Sequence, residues 1–243
     1  MKLTDLSKNP KYLRMLQCGT AGIGKTCGAS TFPKPLYYFD CEDGMRSLLA
    51  FYDNDVRRME GIEYDQYLDT DPKNPDAFVR INQKLTSMLA SPVFPYKTIV
   101  IDSLTTLEDR VMNQTIREVQ SKRVRGKVAN QQDYGLVIWD LEEFVQKLLT
   151  LPCHVILNCH IQIVQNELTR EILTMPLVVG KKLPQKLPVW FDEVAFCQIK
   201  DGQRVWQIRP EGNITIAKTR MFPKTAPTFI KQDFSELAKY IGN

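Results

Sequence analysis

"GTAGIGKT", residues 19–26, decides how this chain is read. It fits the pattern G-x-x-x-x-G-K-[ST]. Gly19 and Gly24 allow a tight turn in which the successive backbone N–H groups of Thr20, Ala21, Gly22 and Ile23 point at phosphate oxygens. Lys25 is placed to reach the β/γ-phosphates, and the Thr26 hydroxyl to ligate magnesium. Cys27 follows on the helix that the loop opens, whose positive end adds to the attraction. Context supports the pattern, because "YLRMLQC" (12–18) reads as a strand before it and a short helix follows. The expected ligands are therefore ATP and Mg2+.

Working outward, strands alternate with helices. "LYYFD" (36–40) is an aromatic strand after Pro35. Residues 75–90 place Phe78, Ile81, Leu85, Met88 and Leu89 at helical spacing. "KTIVID" (97–102) is a β-branched run of the kind found in buried parallel strands. Helices are expected over about 103–121 and 134–150, and "HVILNC" (154–159) is another buried strand. This alternation predicts an α/β fold with a mainly parallel sheet flanked by helices. After residue 190, "EVAFCQI", "RVWQIRP" and "NITIAK" read as short strands joined by tight turns, which would add antiparallel strands at the C-terminal side. One domain spanning 1–243 is expected, with its core at about 12–220 and a tail at 221–243.

Two carboxylates complete the pattern. "TIVIDS" (98–103) ends an apolar strand in Asp102, which in P-loop ATPases holds magnesium through water; alone, Asp102 or Ser103 could equally be a helix N-cap. "YYFDCEDG" (37–44) ends the second strand in Asp40, Glu42 and Asp43. ATP hydrolysis needs a group that orients or deprotonates the attacking water, and a carboxylate at the strand end beside the phosphate loop can reach it.

Together, "FDCE" and "IVIDS" resemble the RecA-type ATPases. That resemblance implies a RecA-type P-loop NTPase core with Glu42 as the water-activating residue, and gives Asp40 and Asp43 no role. It also explains "CHVILNCH" (153–160), which holds both histidines. A metal site fails there on geometry. Cys153 and His154 begin the strand while Cys159 and His160 end it, so the pairs lie roughly 20 Å apart, too far for one zinc. In RecA-type cores the strand end carries a polar sensor of the γ-phosphate, here His160. "IAKTR" (216–220) places Lys218 and Arg220 on one face of a strand end. The resemblance makes them the basic pair that reaches a neighbouring subunit's ATP, in a homo-oligomer with ATP at the interface.

Single-stranded DNA is the implied partner, with a single-stranded-DNA-binding protein as a possible second. RecA-type proteins bind DNA through two loops. Here these correspond to 121–135, with Lys122, Arg123, Arg125 and Lys127, and to 161–186, with Lys181, Lys182 and Lys186; Tyr134 is the one stacking candidate. Among families, the order of motifs most resembles the compact RecA-like ATPases of bacteriophages in the Sak-type annealing and recombination group. The resemblance covers about residues 12–220 and lacks the N-terminal docking helix and C-terminal domain of full RecA. A phage helicase, helicase loader or packaging motor is the alternative. A small-molecule kinase fits less well, because no acceptor-pocket segment or basic lid is evident.

Bulk composition agrees. The chain has 243 residues, is 43% hydrophobic and carries a net charge of +4, compatible with nucleic acid without requiring it. No apolar run approaches the roughly 18 residues of a membrane span, and "MKLTDLSKNPKYL" has no apolar signal core. The six cysteines are scattered with no CxxC pair, as expected of reduced thiols. A cytoplasmic location is expected, in the host cytoplasm if a phage encodes the protein.

Overall fold

The computed structural model describes residues 12–120, 129–165, 170–214 and 216–241. In chain order its first half runs β1 (Arg14–Cys18), α1 (Lys25–Ser30), β2 (Leu36–Asp40), α2 (Arg46–Phe51), α3 (Val56–Met59), β3 (Ile62–Gln66), α4 (Ala77–Ala90), β4 (Thr98–Asp102) and α5 (Leu104–Gln120). The second half runs α6 (Gln131–Leu148), β5 (His154–Cys159), β6 (Ile161–Gln165), β7 (Ile172–Pro176), α7 (Leu183–Lys186), a 3-10 turn (Leu187–Trp190), β8 (Glu193–Lys200), β9 (Gln203–Gln207), β10 (Lys218–Thr219), β11 (Phe229–Lys231) and α8 (Phe234–Ala238).

One sheet joins most of these strands in the order β11-β9-β8-β1-β5-β4-β2-β3, with β10 on β8. From β8 to β3 the neighbours are parallel, and β9, β10 and β11 add antiparallel pairs. This is the mainly parallel sheet flanked by helices that the alternation predicted. β5 stands between the strand before the phosphate loop and the strand ending in Asp102.

Period-2 alternation explains why both faces are dry. Leu16, Phe39, Ile99, Ile101 and Leu157 pack on one face against α4, α5 and α6. Met15, Tyr38, Val100 and Ile156 pack on the other, against Ala29, Leu48 and Leu237 of α1, α2 and α8. Each large apolar side chain buried this way contributes about 1.5–3 kcal/mol. Because the central strands are buried on both faces, their sequences are largely apolar runs, broken inside by Gln17 and Asn158. The C-terminal ends of these strands therefore carry the first polar residues after each run, and the loops that hold chemistry begin there.

Three expectations change. Among the described residues of "NITIAK" (213–218), pairing is limited to a Glu211–Ile214 bridge and Lys218 of β10 rather than a full strand. The outer edge of β8 limits β10, since Phe196–Lys200 already pair with β9 and only Glu193–Ala195 remain, of which Glu193 and Val194 pair with β10. The stretch 161–186, expected as a loop, carries an antiparallel hairpin of β6 and β7. Finally, α6 starts earlier than residue 134, because Asn130 caps it in a reciprocal box with Asp133.

Candidate functional site

The loop between β1 and α1 keeps the shape its glycines allow. Gly24 caps α1 in the left-handed region at φ 97°, where other residues are strained. Gly19 is held by space: a Cβ there would lie 2.8 Å from the Ile23 side chain and 3.0 Å from Cys197. Lys25 is buried, and its Nζ donates to the Gly19 and Thr20 carbonyls at 3.1 and 3.0 Å. It thus folds across the mouth of the loop.

Parallel registration brings the other ends alongside. Asp40 of β2 pairs with Asp102 of β4. Thr26 Oγ1 donates to Asp102 Oδ2 at 2.6 Å, and Asn158 of β5 donates to Oδ1 at 2.9 Å. Burial pushes the Asp102 carboxyl up to about 6, and the hydrogen bonds from Thr26 and Asn158 oppose that rise. A buried carboxylate with a threonine hydroxyl against it fits a divalent cation, whose charge would favour the ionised form.

Glu42 faces the same space. Its Oε1 accepts from the Ser103 hydroxyl in a very short contact, from Thr106 Oγ1 at 3.4 Å, and from His160 Nε2 at 2.9 Å. Three donors on one oxygen leave Oε2 for another partner. The loop bearing Glu42 is shaped by Asp40, whose Oδ1 accepts from the backbone N–H groups of Glu42 and Gly44, both at 3.1 Å. Asp40, given no role from the sequence, is thus a buried brace for Glu42; burial raises its carboxyl above the ordinary range.

Lys25, Thr26, Cys27, Glu42, Asp102 and His160 all line one cavity of about 470 Å³ with Ala21, Gly22 and Gly24. Arg204 of β9 lines it too, and no sequence signal marked this residue. The cavity continues into a groove that shares Cys27, Phe51 and Arg204 and adds Arg58, Lys231 and Asp233. A pocket with phosphate-directed backbone, one buried lysine, a Thr–Asp pair and a positioned carboxylate can hold a nucleoside triphosphate and a water beside it.

His160 is also the root of the β6–β7 hairpin. Its N–H donates to Thr105 Oγ1 at 3.0 Å, the Thr105 hydroxyl donates to the Leu177 carbonyl at 3.0 Å, and Leu177 N–H returns to the His160 carbonyl at 2.8 Å. The two ends of the hairpin are therefore tied to one residue that also touches Glu42. At the other end of β5, His154 accepts from Leu13 N–H at 3.0 Å among Tyr12, Phe32 and Phe234, and burial pushes it down to about 4.

Lys218 and Arg220 do not line the cavity. Both turn toward the segment before β8: Lys218 Nζ donates to the Pro188 carbonyl at 2.5 Å and Arg220 Nη2 to the Val189 carbonyl at 3.0 Å. Their heads thus rest on two adjacent carbonyls of that segment. Of the basic loop residues, Arg123, Arg125 and Lys127 lie outside the described residues. Lys181 and Lys182 are exposed, whereas Lys186 pairs with Glu142 at 2.5 Å. All six cysteines are free and buried. Among the described residues, no helix is long and apolar enough to cross a membrane.

Residues 11–221 match the family model described as AAA domain. No curated protein matches in sequence. Among solved structures, the chain is similar to a prototypical ATPase from the type III secretion system of pathogenic bacteria, with 9% identity and a TM-score of 0.48. That similarity covers 76% of this chain and 52% of the other, so this chain spans about half the length of that ATPase.

Proposed function

Because the chain belongs to the AAA domain family of P-loop ATPases, we propose that it hydrolyses ATP with Mg2+ and uses the cycle to act on single-stranded DNA in recombination, by annealing or strand pairing. The observation that carries this reading is the 2.9 Å contact between Glu42 and His160, with His160 holding both ends of the β6–β7 hairpin. A change at the γ-phosphate that shifts Glu42 reaches the hairpin through one side chain. The hairpin exposes Ile163 and Ile172 and lies in the second loop that the RecA resemblance assigns to DNA.

In this reading Lys25 leaves the Gly19 and Thr20 carbonyls for the β/γ-phosphates. Thr26 and Asp102 would hold the magnesium ion, which supplies charge neutralisation on the phosphates when bound. Glu42 orients and deprotonates the attacking water through Oε2, while Ser103, Thr106 and His160 fix its other oxygen. Phe51 and Arg204 line the groove on the path of the nucleoside. Lys218 and Arg220 do not line their own cavity and serve the ATP of a neighbour in a homo-oligomer. A cation in trans is worth roughly 10³–10⁵ in rate. The order of motifs supports likeness to the compact phage ATPases of the Sak type.

The test is single-strand affinity by fluorescence anisotropy with a non-hydrolysable ATP analogue and with ADP. Coupling of this kind is typically worth roughly 5- to 150-fold. Wild type should show such a ratio, and His160→Ala should bring it near one while keeping ATP affinity. Equal affinities in wild type, or an unchanged ratio in His160→Ala, would sink the coupling.

A further inference from the structure

Glu193 opens β8 and is fully buried. Its neighbours along the strand, Val194, Ala195, Phe196 and Cys197, are all buried too. An isolated carboxylate in such a place is costly, and packing alone would be better served by an apolar side chain. What Glu193 does is collect hydrogen bonds from three consecutive residues. Its Oε1 accepts from Thr219 Oγ1 at 3.0 Å, Arg220 N–H at 3.0 Å and Met221 N–H at 2.8 Å. Its Oε2 is buried without a hydrogen-bond partner among the described residues. Thr219 passes the constraint on by accepting from Phe222 N–H at 3.1 Å.

The turn fixed in this way carries Lys218 and Arg220 on either side of Thr219. Their heads rest on two adjacent carbonyls, those of Pro188 and Val189. Two residues of β10 pairing are too few to hold such a pair in place, since a short strand at a sheet edge frays readily. One backbone bond continues past β10, from Arg220 N–H to the Asp192 carbonyl at 3.0 Å, and the carboxylate adds the contacts that fix Thr219 and Met221 on either side of it. We propose that Glu193 is a positioning residue that holds Lys218 and Arg220 as a rigid cation pair directed at the phosphates of a neighbouring subunit's nucleotide. This rests on the trans role given to that pair above. Glu193 itself touches no phosphate.

The test uses the full chain at a concentration where wild-type ATPase activity per subunit has reached its plateau. A displacement of about 1 Å at a reacting centre can cost 10²-fold. Glu193→Ala should therefore lower kcat about 10²-fold, with ATP affinity at its own phosphate loop unchanged, since Glu193 does not line that cavity. Mixing it with Glu42→Gln should restore activity, because that partner brings an intact Lys218 and Arg220 to an intact Glu42. Glu193→Gln keeps an accepting oxygen and should recover most of the rate. Should the alanine variant fail to fold, Glu193→Asp withdraws the oxygen by one methylene, keeps the charge, and should show the same loss and the same rescue. A near-wild-type rate in Glu193→Ala would overturn the assignment, as would a parallel loss of ATP affinity, a glutamine variant as defective as alanine, or no rescue on mixing where Arg220→Ala is rescued. An Arg220→Ala chain at the wild-type rate would overturn the trans reading itself, and this assignment with it.

Discussion

Replacing Glu42 by glutamine separates water activation from everything else the site does. The glutamine carbonyl can take the place of Oε1, so Ser103, Thr106 and His160 keep an acceptor. All three contacts pass from charge-assisted to neutral hydrogen bonds, so folding stability should fall by about 1 kcal/mol. For a chain of 243 residues that is a melting shift of about 2–4 °C. The amide left in the Oε2 position cannot take a proton. General-base catalysis is worth roughly 10²–10⁴-fold, or about 2.7–5.4 kcal/mol at 1.36 kcal/mol per decade. ATP affinity should hold or tighten, because the Glu42 charge helps to raise Asp102 and its removal favours the ionised magnesium ligand. Phosphate release at saturating ATP and binding of a fluorescent ATP analogue measure the two quantities. Turnover within about fivefold of wild type would mean that another group activates the water, since one lost base should cost at least 10²-fold. Lost binding would mean that Glu42 acts on the nucleotide instead.

Two further outcomes follow from the same geometry. Burial holds Asp102 at about 6, above its ordinary 3.8, so between those values the folded chain keeps a proton that the unfolded chain releases. The nucleotide-free protein should lose stability from this group as pH rises through that window. The melting-temperature gain from Mg-ADP should grow over the same window, and Asp102→Asn should flatten that growth; thermal unfolding at about pH 5 and pH 7.5 checks both, and a variant that keeps the full dependence would contradict it. Separately, replacing Arg123, Arg125 and Lys127 with alanine should reduce the log–log salt slope of single-strand binding by about 0.7 per lost contact, about 2 in all; an unchanged slope would remove this loop from the DNA surface.

How much could be read in advance follows from where the information lies. The phosphate loop, Asp102, Glu42 and His160 each stand just after an apolar run, so a local pattern marks them, and the parallel sheet brings those strand ends into one cavity. The central strands were legible because burial on both faces makes their runs largely apolar. β3 was not, because Ile62–Gln66 is an edge strand with mostly exposed side chains and a polar sequence. The hairpin of β6 and β7 hid inside a segment read as a loop, because neither IQIVQ nor ILTMP keeps a strict period of two. Asp40 braces its own loop through Glu42 and Gly44, a local turn that no catalytic pattern flags, whereas Ser103, Arg204 and Glu193 were missed for another reason. Each works through partners that only folding supplies: Ser103 meets Glu42 across 61 positions of sequence and Arg220 meets Glu193 across 27. No spacing rule reports such contacts. The strand expected to carry Lys218 and Arg220 shrinks to two paired residues, because β9 takes β8 from Phe196 onward.

The most direct measurement of the central claim is steady-state ATP hydrolysis with and without single-stranded DNA, at fixed Mg2+ and low salt, with Lys25→Ala as the blank. A site that passes its nucleotide state through Glu42 and His160 to a DNA-binding hairpin must in return bind ATP more tightly when DNA is bound, since coupling of binding between sites is reciprocal. Hydrolysis below saturating ATP should therefore rise with DNA. The account predicts hydrolysis that depends on Lys25 and rises at least severalfold when single-stranded DNA is added. A rate that is the same with and without DNA, while the protein is shown to be bound to the strand, would contradict it.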